Sequence, residues 1–333
     1  MATHATTHPT LLDVAKATDP DGKIAAIVEI LNETNEILDD MVWMEGNLPT
    51  GHRTTIRTGL PAPTWRKLYG GVQPTKGETT QITDNTGDMQ AYAEIDKDLA
   101  DLNGNTSAFR LVEDKAHIEG MSQEMADTLF YGNEGTEPEA FTGLAPRFND
   151  LSAPNGANII PGGSVDTDNS SIWLVVWGPN TVHGIYPKGM TAGLQHEDKG
   201  HVTIEDVNGN NGGRMEAYRA HYKWSAGLVV RDWRYVVRIA NIDKSLLTKD
   251  ASGGADLIDL MTQAIELLPN ASVGRPAFYV PRNIRSFLRR QIANKVTNST
   301  LTMDTVSGKK VLSFDDIPVR RVDALSADEA LVS

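Results

Sequence analysis

The six residues from His196 to His201 come closest to a catalytic motif, reading His-Glu-Asp-Lys-Gly-His. A zinc-protease helix carries its two histidines four positions apart, so that both imidazoles lie on one helix face beside a glutamate. Here the two histidines are five positions apart, which turns the second imidazole about 140° away from the first. We therefore interpret the segment as a polar loop between strands. A metal-dependent hydrolase that uses His196 and His201 is the enzymatic alternative.

A second segment, Asp206–Gly212, begins like a calcium loop, with oxygen ligands at its first, third and fifth positions. The sixth position must be glycine but is Asn211, and the bidentate acid of the twelfth position would be Ala217. A hairpin turn is therefore the better interpretation. The glycines at 209, 212 and 213 match neither a dinucleotide-binding loop nor a phosphate-binding loop.

The overall composition excludes several further kinds of chemistry. The 333 residues contain no cysteine, which excludes thiolate catalysis and cysteine-ligated metal sites. No GxSxG motif occurs among them. We therefore predict a chain that is not an enzyme, with no catalytic residue, metal ligand or cofactor. The first ten residues lack the basic and apolar regions of a signal peptide, and no apolar run approaches the ~18 residues of a membrane span, which predicts a soluble intracellular product without membrane contact.

Charge is distributed unevenly along the chain. The 31 basic and 44 acidic residues give a net charge of −13, so the chain as a whole is a poor general binder of DNA phosphates. Residues 1–50 contain two basic and nine acidic side chains, a net charge of −7, whereas residues 47–77 contain five basic side chains and no acidic one. Residues 271–300 contain six basic side chains and no acidic one. The sequence therefore contains its own candidate acidic and basic partners.

Periodicity predicts the elements that position these charges. An apolar stripe from Ile24 to Val42 predicts an acidic amphipathic helix, and the Gly/Pro/Thr-rich residues 46–94 predict a long β-hairpin with limbs of some 20 residues. Ser107–Phe130 predicts the longest helix, with Phe109, Val112, Ala116, Met121, Met125 and Leu129 on one face. Strands are predicted over 172–177, 182–186, 201–205, 215–230 (broken or bent), 235–239, 277–280, 311–314 and 319–322, and helices over 255–268 and 283–294.

The hairpin suggests a self-assembling protein. A two-stranded ribbon is marginal in water, and this one has too few apolar residues for a core of its own. Its largest apolar residues, Trp65, Leu68 and Tyr69, are predicted to form a cluster in the half that contains the tip. An arm of this kind is most simply explained if it lies on another subunit.

The order of these segments resembles the major capsid proteins of tailed bacteriophages, of the Hong Kong 97 type of fold, especially the relatives in short-tailed phages. Residues 23–45 look like the N-terminal arm, 46–94 like the extended loop, and Ser107–Phe130 like the spine helix. The exit from the spine looks like Asp127–Asn133 followed by Phe141-Thr142-Gly143-Leu144. Ile172–Gly178 with His183–Pro187, and Phe278–Arg282 with the helix after it, look like a strand pair and a strand–Pro–helix unit of such proteins. In this sequence the strand–Pro–helix unit comes after the strand that begins at Ile172, and not before it. A permuted connectivity of the strands would explain this order.

The resemblance implies an α+β fold with four parts: the arm (1–45), the extended loop (46–95), a peripheral domain with the spine helix (96–135), and a mixed α/β axial domain with the remaining peripheral strands (136–333). It implies assembly with itself into pentamers and hexamers of an icosahedral shell that encloses double-stranded DNA without sequence-specific binding. Portal and scaffolding or decoration proteins are the other implied partners. The implied location is the virion, assembled in the host bacterial cytoplasm. A cellular nanocompartment shell of the same fold is the alternative.

The residues expected at subunit interfaces come from the arm, the loop and the basic segment. They are Asp39, Asp40, Glu45, Arg53, Arg57, Trp65, Arg66, Lys67, Leu68, Tyr69, Lys76, Arg285, Arg289 and Arg290.

Overall fold

The computed structural model describes residues 33, 35–102, 106–166, 168–205, 213–248, 254–294, 301–306, 309–326 and 328–333. These residues form two compact units. The smaller unit contains Glu33, Asp88–Met125 and Gly193–Ser225, and the larger unit contains residues 35–87, Ala126–Ala192 and the described part of Ala226–Ser333. The boundaries expected at residues 45, 95 and 135 remain predictions.

The described residues form helices and strands in the mixture expected of an α+β protein. The helices are α1 (Ile37–Asp40), α2 (Lys97–Ala100), α3 (Thr106–Tyr131), α4 (Leu257–Glu266) and α5 (Arg282–Asn294). The strands are β1 (Trp43–Glu45), β2 (Gly51–Gly59), β3 (Glu78–Asn85), β4 (Gly87–Asp96), β5 (Ile159–Pro161), β6 (Asn169–Trp177), β7 (Val182–Tyr186), β8 (Gln195–Glu205), β9 (Arg214–Val230), β10 (Val236–Asp243), β11 (Arg275–Val280), β12 (Leu301–Val306), β13 (Lys309–Phe314) and β14 (Ile317–Arg321). Strands β1, β5 and β12 and helix α2 had no counterpart among the predicted elements.

The larger unit is built around strand β6, every residue of which is buried. Strands β10 and β11 flank it, both antiparallel to it, and β14 lies parallel to β11. Because side chains alternate across a strand, Ile172, Leu174 and Val176 share one face, where they belong to the same apolar cluster as residues of α4 and α5. Trp173 and Trp177 lie on the opposite face, and both are fully buried. A strand covered on both faces explains the continuous apolar run in the sequence.

Helix α3 is one residue longer at each end than predicted. Phe109, Met121 and Leu129 are buried, as the apolar stripe requires. Ala116 is exposed, so its assignment to the buried face was wrong. The middle of the helix is only partly covered, since Leu111 is also exposed there.

The predicted exit from this helix is confirmed. The Leu144 N–H donates to the carbonyl of Leu129 at 3.0 Å, and the Gly143 N–H donates to the carbonyl of Gly132 at 2.8 Å. A Cβ at position 143 would lie 2.5 Å from the Thr128 carbonyl oxygen. Only glycine allows so close an approach of the two backbones.

The smaller unit contains a three-stranded arrangement in which β9 lies between β8 and β4. The strand predicted over 201–205 begins at Gln195, so the interpretation of His196–His201 as a loop was wrong. Its ten pairs with β9 supply the backbone hydrogen bonds that make a strand of this polar segment. The strand predicted as broken or bent is a single element, Arg214–Val230. The proposed turn at Asp206–Gly212 lies outside the described residues.

Two predictions near the N-terminus were wrong. The helical stripe does not continue to Val42, because α1 ends at Asp40 and β1 follows, paired in parallel with β7. Residues 24–32 lie outside the described part of the chain. The hairpin limbs are also shorter than 20 residues: β2 has nine and β3 has eight. The chain between them contains Pro61, Pro63 and Pro74, which have no N–H for a ladder, and β4 belongs to the smaller unit's sheet.

Within the described residues, none of the helices is long and apolar enough to span a membrane.

Candidate assembly site

The tip of the hairpin, residues 60–77, presents large apolar side chains to solvent. Trp65 is 102% exposed, Leu68 is 93% exposed and Tyr69 is 103% exposed. These values mean that the three side chains do not pack on one another, so the predicted cluster was wrong within a single chain. The backbone is nevertheless ordered locally, because the Gly70 N–H donates to the Lys67 carbonyl at 3.0 Å and Arg66 Nε donates to the Gly70 carbonyl at 2.9 Å.

The basic side chains of the hairpin are exposed, and none of them pairs with an acidic side chain among the described residues. Arg53, Arg57, Arg66, Lys67 and Lys76 are all exposed. Within the described part of the chain, none of them has a carboxylate oxygen within 4 Å. Arg53 Nε instead donates to Thr83 Oγ1 at 3.2 Å. These five charges are therefore available to another molecule.

The root of the hairpin, by contrast, is firmly joined to the larger unit through Arg147. Its Nη1 lies 2.7 Å from Oδ1 of the buried Asp84 on β3. Its other nitrogens donate to the carbonyls of Gly143 at 3.2 Å, Thr142 at 3.1 Å and Leu228 at 3.2 Å. One guanidinium therefore connects the hairpin, the exit from α3 and the end of β9. Sequence reasoning missed this residue, since a single arginine in a loop gives no signal.

Two histidines also meet at the root. The rings of His52 on β2 and His183 on β7 lie 5.9 Å apart, edge to face. His183 is fully buried, and within the described residues neither of its ring nitrogens has a hydrogen-bond partner. Burial, together with the neighbouring His52 and Arg231, lowers the pKa of His183 to about 4. Burial and Arg231 also lower the pKa of His52, against the opposing effect of Asp84.

This geometry predicts acid sensitivity of the subunit. The unfolded chain takes up a proton on His183 near pH 6.5, whereas the folded chain does so only near pH 4. The folded state is therefore at its full stability with respect to His183 above pH 6.5, and it loses stability as the pH falls toward 4. We expect the free energy of unfolding to decrease by about 1.4 kcal/mol per pH unit in that window. Urea unfolding of wild type and His183→Leu should show a smaller pH slope in the variant. His201→Leu, at an exposed histidine, should keep the wild-type slope, and equal slopes in all three proteins would contradict the assignment.

The acidic residues of α1 and β1 that were expected at interfaces divide into two kinds. Asp40 is bonded within its own chain, since Arg320 donates to it at 3.0 and 3.1 Å and the Tyr279 hydroxyl donates to it at 3.1 Å. Asp39 is exposed, and the exposed Glu45 accepts a hydrogen bond from the Gly189 N–H at 2.8 Å. The structure thus gives Asp40 an anchoring role and leaves Asp39 accessible.

The basic residues of α5 face mostly outward. Arg285 is half-buried and lies 3.7 Å from Glu36, whereas Arg289 and Arg290 are exposed. The three residues expected here as interface residues therefore lie on one helix.

A buried ion pair that sequence reasoning missed fixes the C-terminal segment. Arg238 on β10 and Glu329 approach to 2.8 Å, and each side chain is only 4% exposed. Arg238 also donates to the Phe148 carbonyl at 2.7 Å, and the Tyr131 hydroxyl donates to Glu329 at 2.5 Å. Burial and Glu329 raise the pKa of that tyrosine well above its usual value. The one available signal was an arginine inside the apolar run of residues 236–240.

The histidines of the hydrolase alternative have other contacts. His196 stacks on Tyr222 with ring centroids 4.9 Å apart, and His201 Nε2 lies 2.9 Å from Glu216. Over the described residues, no group of three or more histidine, aspartate and glutamate side chains is placed to hold a metal ion.

A hairpin anchored at its root with large apolar side chains exposed at its tip is typical of the class of proteins that bind other protein chains. Comparison with known proteins gives the family. A sequence profile described as major capsid protein GP7 matches residues 19–333. The chain belongs to this family of major capsid proteins, and it is a capsid subunit.

One solved structure supports this assignment. The chain is 42% identical to a chain in the structure of bacteriophage epsilon15, with 100% of both chains covered and a TM-score of 0.77. It is 10% identical to a chain of the bacteriophage JBD30 capsid (96% and 99% covered, TM-score 0.48) and 9% identical to a chain of the SrpI encapsulin from Synechococcus elongatus (68% and 94% covered, TM-score 0.44). A search of curated protein sequences finds no match. The fold class predicted from the sequence, that of tailed-phage capsid proteins, is confirmed.

Proposed function

We propose that this capsid subunit assembles into pentamers and hexamers of an icosahedral shell that encloses packaged double-stranded DNA, and that its role is structural rather than catalytic. The observation that supports this proposal best is the contrast within the hairpin. Its root is joined to the larger unit through Arg147, and its tip exposes Trp65, Leu68 and Tyr69 completely. Exposed apolar groups of this size mark a protein contact.

The neighbouring subunit is the proposed occupant of that contact. Aromatic side chains buried at the centre of an interface often dominate its energy. In a shell of identical chains the same contact is repeated at every subunit, so a modest energy per copy suffices. The exposed basic side chains of the hairpin are proposed to face acidic side chains of the neighbour, among which the exposed Asp39 is a candidate.

The electrostatic part of this proposal predicts an assembly defect. Arg53 and Arg57 lie four residues apart on β2, so both side chains point to the same face of the strand. An exposed ion pair contributes only about 0–1 kcal/mol, but charge reversal replaces attraction by repulsion at every copy. We expect Arg53→Glu combined with Arg57→Glu to slow or prevent shell formation, measured by light scattering and electron microscopy.

A charge-matched control is Lys115→Glu combined with Arg214→Glu, which reverses two exposed cations outside the hairpin. This control should assemble at the wild-type rate. Normal particles from the Arg53/Arg57 variant would contradict the proposed contact.

The contents of the shell test the remaining part of the proposal. Portal and scaffolding or decoration proteins are the further partners proposed, with assembly in the cytoplasm of the host bacterium. Electron microscopy and nuclease-protected DNA content of particles from infected cells should show filled icosahedral shells with five- and six-fold capsomers. Particles that hold a protein cargo and no DNA would instead indicate a nanocompartment shell.

A further inference from the structure

Helix α5 and the end of β14 together form a cavity with an unusual concentration of arginine. The cavity measures about 460 Å³. Within the described residues its lining consists of Arg282, Arg285, Ser286, Arg289, Arg290 and Arg321. Positions 282, 285, 286 and 289 are spaced by three or four residues, so they share one face of the helix. Because β14 lies parallel to β11 with Arg321 opposite Val280, Arg321 is placed beside the first turn of α5.

The positive charge of this cavity is only partly compensated. Asp323 pairs with Arg282 at 3.0 Å and with Arg321 at 2.5 Å. Glu36 lies 3.7 Å from Arg285, a distance too long for a hydrogen bond. In the part of the chain that the structure describes, Arg289 and Arg290 have no carboxylate within 4 Å. Among the described residues, two carboxylates therefore compensate the positive charge of five guanidinium groups.

Arg285 shows the consequence of this imbalance. Its Nε is buried without a hydrogen-bond partner among the described residues. Burial lowers the pKa of Arg285, and the nearby Arg289, Arg320 and Arg321 lower it further, against the opposing effect of Glu36. A guanidinium does not lose its proton at physiological pH. An added anion is therefore the means by which this cluster can be stabilised.

We propose that the cavity binds a compact polyphosphate anion. Guanidinium groups bind phosphate oxygens in pairs, with planar, charge-assisted hydrogen bonds. A single carboxylate offers two oxygens, too few for the donors of Arg285, Arg289 and Arg290 together. The volume of about 460 Å³ is far larger than the roughly 10–15 Å³ that a single bound water needs, so the cavity accommodates a group of several phosphates. The Ser286 hydroxyl supplies a further donor.

The acidic character of the whole chain does not oppose such a site. The net charge of −13 governs long-range affinity for extended polyanions, whereas the cavity acts through direct contacts at short range. The phosphate groups have two possible sources, a free polyphosphate or the backbone of DNA. Both present the same chemistry to the arginines, and competition between triphosphate and duplex DNA distinguishes them.

The test is a titration of the full-length protein with inorganic triphosphate, followed by calorimetry and by thermal unfolding at a constant ionic strength of about 0.15 M. Wild type should show saturable binding and a concentration-dependent rise in Tm. The variant with Arg289→Gln and Arg290→Gln should bind about a hundredfold more weakly, since each of the two charge-assisted hydrogen bonds lost lowers affinity about tenfold. Both residues are exposed and unpaired with acids in the described residues, so folding should be preserved.

The control variant is Arg214→Gln with Arg275→Gln, two exposed arginines outside the cavity, which should keep wild-type affinity. Absence of saturable binding, an equal loss of affinity in the control, or equally tight binding of citrate would overturn the proposal. A short DNA duplex that displaces triphosphate at equal phosphate concentration would support the site and identify the DNA backbone as the source. Failure of the duplex to compete would support a free polyphosphate.

Discussion

Replacing the tip of the hairpin, residues 60–77, by a two-residue Asn-Gly turn should leave a folded subunit that forms no shells. Gly59 and Glu78 are direct partners across the two strands, so an Asn-Gly turn can close the hairpin between them. The loss of loop length changes folding free energy little, because closure entropy varies by only about 0.6 kcal/mol per doubling of length. No buried side chain is removed, since the tip residues are exposed apart from a partly covered Gly70.

The structure limits how much of the hairpin can be removed. Thr54 and Asp84 are both 5% exposed, and Asp84 pairs with Arg147, so a deletion from residue 52 to 87 would remove part of the folded unit. Circular dichroism and thermal melting of the tip replacement should match wild type, while electron microscopy should show no particles. Leu111→Ser, at an exposed leucine of α3, should still assemble. Shells of normal size from the tip replacement would refute the role given to the tip.

Removing Arg238 should strongly destabilise the folded subunit. Arg238→Ala leaves the carboxylate of Glu329 buried without its cation and leaves the Phe148 carbonyl without its donor. Breaking a buried ion pair from one side costs about 3–5 kcal/mol. Chemical denaturation of the unassembled subunit should show this loss of unfolding free energy.

Two further variants separate the burial of the pair from its charge. Arg234→Ala, which breaks the more exposed pair with Asp232, should cost about 0–1 kcal/mol. The combined change Arg238→Met and Glu329→Leu should recover part of the stability lost by Arg238→Ala, because no unpaired buried charge remains. A loss below about 1 kcal/mol for Arg238→Ala would show that the site is hydrated.

Local sequence patterns were sufficient for much of the fold. The strands at 172–177 and 182–186 and the helix at 107–130 appear within a few residues of their predicted positions. The strand at 172–177 is a short continuous apolar run, and the helix has an apolar stripe of period 3.6. The hairpin was predicted from its glycine, proline and threonine content. The lengths of its two strands were predicted wrongly, because a run of polar residues does not show where a ladder of backbone hydrogen bonds ends.

Two of the errors share one cause. The polar segment His196–His201 was predicted to be a loop. It is part of a strand because its backbone pairs with β9. Val42 continues the apolar stripe of the predicted helix, but the residues that follow it form β1, which pairs in parallel with β7. In both places pairing with another strand outweighed the local pattern.

For the candidate site, the sequence by itself determined which side chains are unusual: the large apolar groups of a segment without a core, and the basic runs without acids. Only the tertiary structure decided what surrounds them. In the structure, the side chains of Trp65 and Tyr69 are exposed, and Asp40 pairs with Arg320. The arginines of α5 and β14 line one cavity. The physical reason is that the types of the residues and their spacing are given by the covalent order of the chain. Burial and charge compensation depend instead on contacts between residues that are far apart in sequence, such as Asp40 and Arg320, which are 280 positions apart.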